Sequence, residues 1–166
     1  MGLLDSLLGS GGGLEVGAKA PSFTLKDQQG RTVSLADFAG KKNVVVYFYP
    51  ADFTPVCTAE ACGFRDMYAD LQSHDTEVIG VSVDDEESHK AFARKHAVPF
   101  PLVTDRDRSL AHAFGAGGNF IDQLRGKTGR VTYVIGKDGR IHGVFDSALF
   151  AKRHLEGVRE ALRKLA

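Results

Sequence analysis

Cys57 and Cys62 are the only two cysteines in a chain of 166 residues, and they lie five positions apart just behind a loop framed by Pro50 and Pro55. The stretch reads Tyr47-Phe48-Tyr49-Pro50-Ala51-Asp52-Phe53-Thr54-Pro55-Val56-Cys57-Thr58-Ala59-Glu60-Ala61-Cys62. Its apolar run, residues 44–49, predicts a buried strand that stops at Pro50. Thr54 or Pro55 then opens a helix, because proline is tolerated in a first turn whose backbone N–H has no partner anyway. A cysteine in that turn meets unpaired N–H groups and the positive end of the helix dipole. This favours thiolate over thiol, and the thiolate is the nucleophile. The stretch is suited to holding a reactive sulfur.

The elements that must position this sulfur follow from periodicity. Residues 23–25 and 32–33 predict two short strands around the turn Asp27-Gln28-Gln29-Gly30. A helical turn over 34–38 ends at Gly40. After the reactive loop, residues 59–72 continue the helix, with Phe64, Met67, Tyr68 and Leu71 at core-facing spacing. Residues 77–83 predict a strand, and Asp84-Asp85-Glu86-Glu87 a helix start with cap and dipole chemistry rather than a cation site. Residues 102–104 predict a short strand and 108–114 a short helix, while 119–129 carry no assignable pattern. Two strands, 131–135 and 141–145, join through the hairpin signal Lys137-Asp138-Gly139. The last helix, 152–165, puts Leu155, Val158, Leu162 and Leu165 on one stripe. Strand–helix alternation followed by a hairpin and a helix implies an α/β domain, a central mixed sheet with helices on both faces. Its site is expected at the carboxyl end of a strand.

Composition excludes several function classes. Lys and Arg number 21, as do Asp and Glu, so the net charge is zero and nothing points to a nucleic acid or an anionic membrane surface. Residues 1–13 end in a glycine-rich run and are expected to be a flexible leader, with the domain spanning 14–166. With no signal peptide in that leader, a reducing, cytoplasmic setting is expected, where a close cysteine pair is more often catalytic than structural. The C-x4-C spacing is neither the C-x-x-C of thioredoxins nor that of zinc ribbons. Six histidines (His74, His89, His96, His112, His142, His154) show no ligand spacing and are expected at surface or half-buried positions, so neither metal nor cofactor is expected.

Pro50, Thr54 and Cys57 resemble the P-x-x-x-T-x-x-C signature of peroxiredoxins, with Glu60 where that family has its glutamate. Cys62, followed by Phe64-Arg65-Asp66, resembles the bacterioferritin-comigratory-protein (PrxQ) branch, and the likeness extends from Gly17 to the C-terminus. The resemblance implies a thioredoxin-like fold with an N-terminal β-hairpin, and a peroxidase acting on hydrogen peroxide or alkyl hydroperoxides. Cys57 would attack the peroxide and become a sulfenic acid. Thr54 would face the sulfur and the peroxide, and Pro50 would shield the intermediate from water. Arg130-Val131-Thr132-Tyr133-Val134-Ile135 resembles the family's R-x-T-F-V-I segment, in which the arginine reaches the sulfur; Glu60 would hold Arg130 by a charged hydrogen bond. Cys62 would be the resolving cysteine, recycled by thioredoxin, in a monomer, since no C-terminal cysteine is present for an intersubunit bond.

Geometry adds one expectation. Residues five apart in an ideal helix have Cα atoms roughly 8.7 Å apart, and a disulfide spans at most about 7 Å. The first turns of the helix must therefore unwind before Cys57 and Cys62 can bond, and Gly63, about 1 kcal/mol worse than alanine inside a helix, eases that opening. Two competing readings on the same frame are a copper-binding module of the SCO type, whose C-x3-C is one residue shorter and which has no use for Pro50 and Thr54, and a thiol–disulfide relay, weakened by the missing C-x-x-C.

Overall fold

The computed structural model describes residues 14–118 and 120–165. The expected leader, residues 1–13, lies outside them.

The sheet is built on β3 (Asn43–Phe48), whose β-branched and aromatic residues suit a strand buried on both faces. Parallel β4 (Thr76–Ser82) and β5 (Leu102–Thr104) extend the sheet on one side. Antiparallel β6 (Val131–Ile135) and β7 (Ile141–Asp146) extend it on the other, giving the order β5-β4-β3-β6-β7. An N-terminal hairpin, β1 (Thr24–Lys26) with β2 (Thr32–Ser34), forms a separate pair. This is the mixed sheet with an added hairpin expected from the sequence. The helices are α1 (Pro55–Ser73), α2 (Glu86–His96), α3 (Ser109–Phe114), α4 (Phe120–Leu124) and α5 (Ala151–Leu165).

Because successive strand side chains face opposite ways, β3 serves two cores. Val44, Val46 and Phe48 join Leu110 and Phe114 of α3 and Phe23 beside the hairpin. Val45, Tyr47 and Tyr49 join Cys57, Phe64 and Leu71 of α1, Phe92 of α2 and Val158 of α5. Cys57 thus belongs to the apolar core beneath α1 rather than to a surface loop.

Register places the site. Phe48 pairs with Val81 on one side and with Val131 on the other. The residue before Val131 is Arg130, so the antiparallel β6 delivers it to the carboxyl end of β3, where the reactive loop leaves the sheet. Only an antiparallel neighbour starts its strand at that edge.

Three expectations are revised. The central strand ends at Phe48, one residue early, although Tyr49 N–H still donates to Val81 O at 3.0 Å. The unassigned stretch contains the single-turn α4. On α5 the buried stripe is His154, Val158 and Ala161, with Leu155, Leu162 and Leu165 half-buried, so the helix is rotated by about one residue from the leucine stripe.

Close packing of α5 on β7 depends on Gly157, where a Cβ would press into the ring of Phe145. Gly157→Ala is expected to destabilise the fold by about 1–2 kcal/mol, overpacking outweighing alanine's roughly 1 kcal/mol advantage in helix propensity. A denaturant midpoint equal to or above that of the native chain would show instead that Phe145 moves aside freely.

Candidate active site

Thr54 caps α1 with extended backbone (φ −82°, ψ 150°) and makes no side-chain cap bond, so N–H groups of the first turn stay open. Its hydroxyl proton goes instead to Ala51 O at 2.8 Å, which leaves the oxygen free to accept. Cys57 lies in that first turn with 1% of its surface exposed.

Arg130 closes over the sulfur. Each guanidinium nitrogen has its own acceptor: Nη2 donates to Cys57 Sγ at 3.1 Å, Nη1 to Glu60 Oε1 at 3.3 Å, and Nε to Ala148 O at 3.1 Å. The arginine is buried, and three contacts fix its rigid fork. Glu60 is fully buried, and burial raises its carboxyl from an ordinary 4.5 to about 8 against the opposing pull of Arg130. The hydrogen bond expected between Glu60 and Arg130 is therefore present, and burial disfavours the carboxylate that would compete with the sulfur for the arginine charge.

His154, also fully buried, stands behind Glu60. Its Nδ1 lies 3.4 Å from Glu60 Oε2 and 2.8 Å from Thr132 Oγ1, and its Nε2 lies 2.8 Å from Ser147 O. A carbonyl only accepts, so the ring proton sits on Nε2 and Nδ1 accepts from Thr132. Burial holds the imidazole below its ordinary value, aided by the charge of Arg130. Glu60 Oε2 has no hydrogen-bond partner among the described residues. A proton on that oxygen fits the raised carboxyl.

The loop before α1 is pinned from both sides. Asp52 accepts from Tyr49 Oη at 2.6 Å and from Ser88 Oγ at 2.8 Å, and meets His89 Nδ1 at 2.8 Å. Its N–H donates to Asp84 Oδ2 at 2.8 Å, while Thr128 Oγ1 donates to Tyr49 O at 2.8 Å. Phe53 adopts φ 66°, an unfavourable region for a bulky side chain, and is held there by an edge contact with Phe92. Pro50 is half-buried at the head of this loop.

Cys57, Arg130 and Glu60 are thus brought together, with Thr54 at the N-cap of the same helix and Pro50 at the head of the loop before it. Cys62 is not with them: it is half-buried farther along the same helix, and both thiols are free. Buried His89 and His154 correct the expectation of surface or half-buried histidines. The signal was spacing, since His154 stands four residues before Val158 on the buried stripe of α5. Among the described residues no group of three or more His, Cys, Asp or Glu could hold a metal ion, and no helix is long and apolar enough to cross a membrane.

The AhpC/TSA family matches residues 16–144. The chain belongs to that family. Peroxiredoxin Q of Sedum lineare is 44% identical over 149 residues, covering 90% of this chain and 78% of that protein. The crystal structure of peroxidoxin BcpB from Mycobacterium tuberculosis superposes with a TM-score of 0.83 at 28% identity, covering 92% of this chain and 99% of that one. Bacterioferritin comigratory protein of Xanthomonas campestris, whose structures concern alkyl peroxide reduction, gives a TM-score of 0.78 at 29% identity, covering 92% and 97%. The enzyme is a peroxiredoxin with the thioredoxin-like fold of that family, and it reduces peroxides; the copper-binding and relay readings are not favoured. One expectation is overturned. The Sedum relative and other curated peroxiredoxin Q proteins are chloroplastic, against the cytoplasmic setting expected from the sequence.

The raised carboxyl of Glu60 in this peroxiredoxin has a measurable consequence. Below pH 4.5 folded and unfolded chains both hold the proton; between 4.5 and about 8 the folded chain keeps a proton that the unfolded chain has lost. Stability contributed by this group therefore falls as pH rises through that window. Glu60→Gln is expected to flatten the fall, seen as a smaller loss of unfolding free energy between pH 5 and pH 8 in chemical denaturation. Parallel losses in both proteins would mean that Glu60 is ionised in the fold.

Proposed function

We propose that Cys57 is the peroxidatic cysteine, that Cys62 resolves it as an intramolecular disulfide, and that a thioredoxin-type dithiol returns both thiols. The observation that carries this reading is the 3.1 Å bond from Arg130 Nη2 to Cys57 Sγ in a buried site, which holds the sulfur beside a fixed cation.

Attack of the Cys57 thiolate on the terminal peroxide oxygen forms S–O and breaks O–O. The products are a sulfenic acid and hydroxide or alkoxide, which takes a proton to leave as water or alcohol. Arg130 stabilises the charge as it passes from sulfur to the leaving oxygen, an arrangement whose donors are already oriented. Thr54, its own proton committed to Ala51, accepts from the O–H of the peroxide and orients it. Pro50 contributes no N–H donor and shields the sulfur. Glu60 and His154 position Arg130 from behind. The substrates are hydrogen peroxide and organic hydroperoxides, a range supported by the alkyl peroxide reduction of the Xanthomonas relative.

Both cysteines lie on one unbroken helix, α1, so their Cα atoms are about 8.7 Å apart by ideal geometry, beyond the roughly 7 Å that a disulfide spans. The first turns of α1 open after oxidation, while the loop before them stays pinned by Asp52. Resolution needs no second chain, and the working unit is a monomer.

Single-turnover mass measurement with one equivalent of hydrogen peroxide tests the cycle. The native enzyme is expected to gain one oxygen and then lose two hydrogens net, and Cys57→Ser to remain unchanged. Cys62→Ser is expected to gain the oxygen and stop there, with no recycling by thioredoxin. Normal steady-state turnover of Cys62→Ser with thioredoxin would remove the resolving role.

A further inference from the structure

Cys62 has partners of its own that the peroxide-reducing step does not use. It is turned about 140° around α1 from Cys57 and faces the end of α2. There Nδ1 of His96 lies 4.0 Å from Cys62 Sγ. The imidazole packs on Phe92, ring centroids 4.9 Å apart, and the His96 carbonyl accepts from Arg65 Nη1 at 2.8 Å. Ring and backbone of His96 are thereby both fixed opposite the sulfur. Arg65 also donates from Nε to Asp66 at 3.0 Å, and its guanidinium is held charged by that carboxylate first and by the Cys62 sulfur after it.

The two cysteines differ in what surrounds them. Cys57 has the open N–H groups of a first turn and a buried arginine. Cys62 lies past that first turn, where the backbone N–H groups are spent in the helix ladder, so the dipole offers it little. A nearby base supplies what position on the helix does not.

We propose that His96 is the catalytic base of the resolving step, taking the proton of Cys62 so that its thiolate attacks the sulfenic sulfur of Cys57, with Arg65 beside the charge so formed. The inference rests on the reading of Cys62 as the resolving cysteine. The balance is complete within the chain. The Cys62 S–H bond breaks and its proton passes to Nδ1 of His96. The sulfur electron pair forms S–S with Cys57, the S–O bond breaks, and the departing hydroxide takes a proton to leave as water. Transfer takes place while α1 is wound, so the opening helix delivers a thiolate. The other ionisable groups around the pair are Arg65 and Asp66 from α1, the buried Tyr47 phenol from β3, and Lys95 on α2, whose ammonium lies over the Phe53 ring.

The test is single-turnover oxidation of the native enzyme, His96→Ala and His96→Asn by hydrogen peroxide, followed by quenched mass measurement. The oxygen adduct is expected to form at the native rate in all three, and its conversion to disulfide to slow roughly tenfold to a hundredfold in the variants. Free imidazole is expected to restore conversion in His96→Ala in proportion to its concentration, without accelerating the native enzyme. Conversion at the native rate in His96→Ala, or a slowing that imidazole leaves untouched, would overturn the base role. A second arm reads the pair outside the cycle: alkylation of Cys62 by iodoacetamide in Cys57→Ser protein is expected to slow when His96→Ala is added, and equal rates would overturn it. Loss of the disulfide from the native enzyme itself would instead defeat the resolving role of Cys62, and the proposal with it.

Discussion

Arg130 and Cys57 meet in a place where neither would stand alone. A guanidinium stays charged when buried, and removing its partners would leave an uncompensated cation in an apolar core. Much of the site can be read as the means of holding that cation against a sulfur. Antiparallel pairing of β6 with β3 brings Arg130 to the strand end where the loop departs. Ala148, Glu60 and Cys57 each take one nitrogen of the fork. His154, fixed by Thr132 and Ser147, backs Glu60 without adding charge. With Glu60 raised by burial, the arginine charge is left facing the Cys57 sulfur.

The same helix that creates the site also obstructs the cycle. While α1 is wound, Cys57 is buried beside Arg130 and Cys62 faces His96, on different sides of one helix. The apolar face under Phe64, Met67 and Leu71 holds the later turns of α1, so the proposed disulfide asks the turns between Thr54 and Gly63 to open. Gly63 has a second role there: a Cβ at this position would press on Leu155, so the glycine also admits α5 close to α1. Substituting it would change helix propensity and packing together.

Much of this was legible in the sequence because local rules and tertiary context agree. The apolar run ending at Pro50, proline in a first helical turn, and a cysteine behind it give the strand, the loop and the reactive position. Arg130 was legible through family resemblance only, since spacing cannot say which strand lies beside β3. The buried pairs Asp52–His89 and Glu60–His154 were not legible as pairs, because charged and imidazole side chains are usually exposed and their partners lie 37 and 94 positions away. The periodicity still held a trace: Glu60 stands three residues after Cys57 and four before Phe64, on the face α1 buries. A carboxylate on such a face needs a partner. The leucine stripe of α5 misjudged rotation by one residue, because long leucines reach the core from the flank and leave the centre to His154 and Val158.

The most direct test of the account is the rate at which reduced Arg130→Gln gains one oxygen from hydrogen peroxide, set against the native enzyme. Loss of a buried, pre-oriented cationic donor predicts a fall of about a hundredfold to a thousandfold with the fold intact by circular dichroism. A rate within about a factor of two of native, on the same scale of donor effects, would mean that Arg130 is a structural counter-charge and that the reactivity of Cys57 comes from the helix terminus alone.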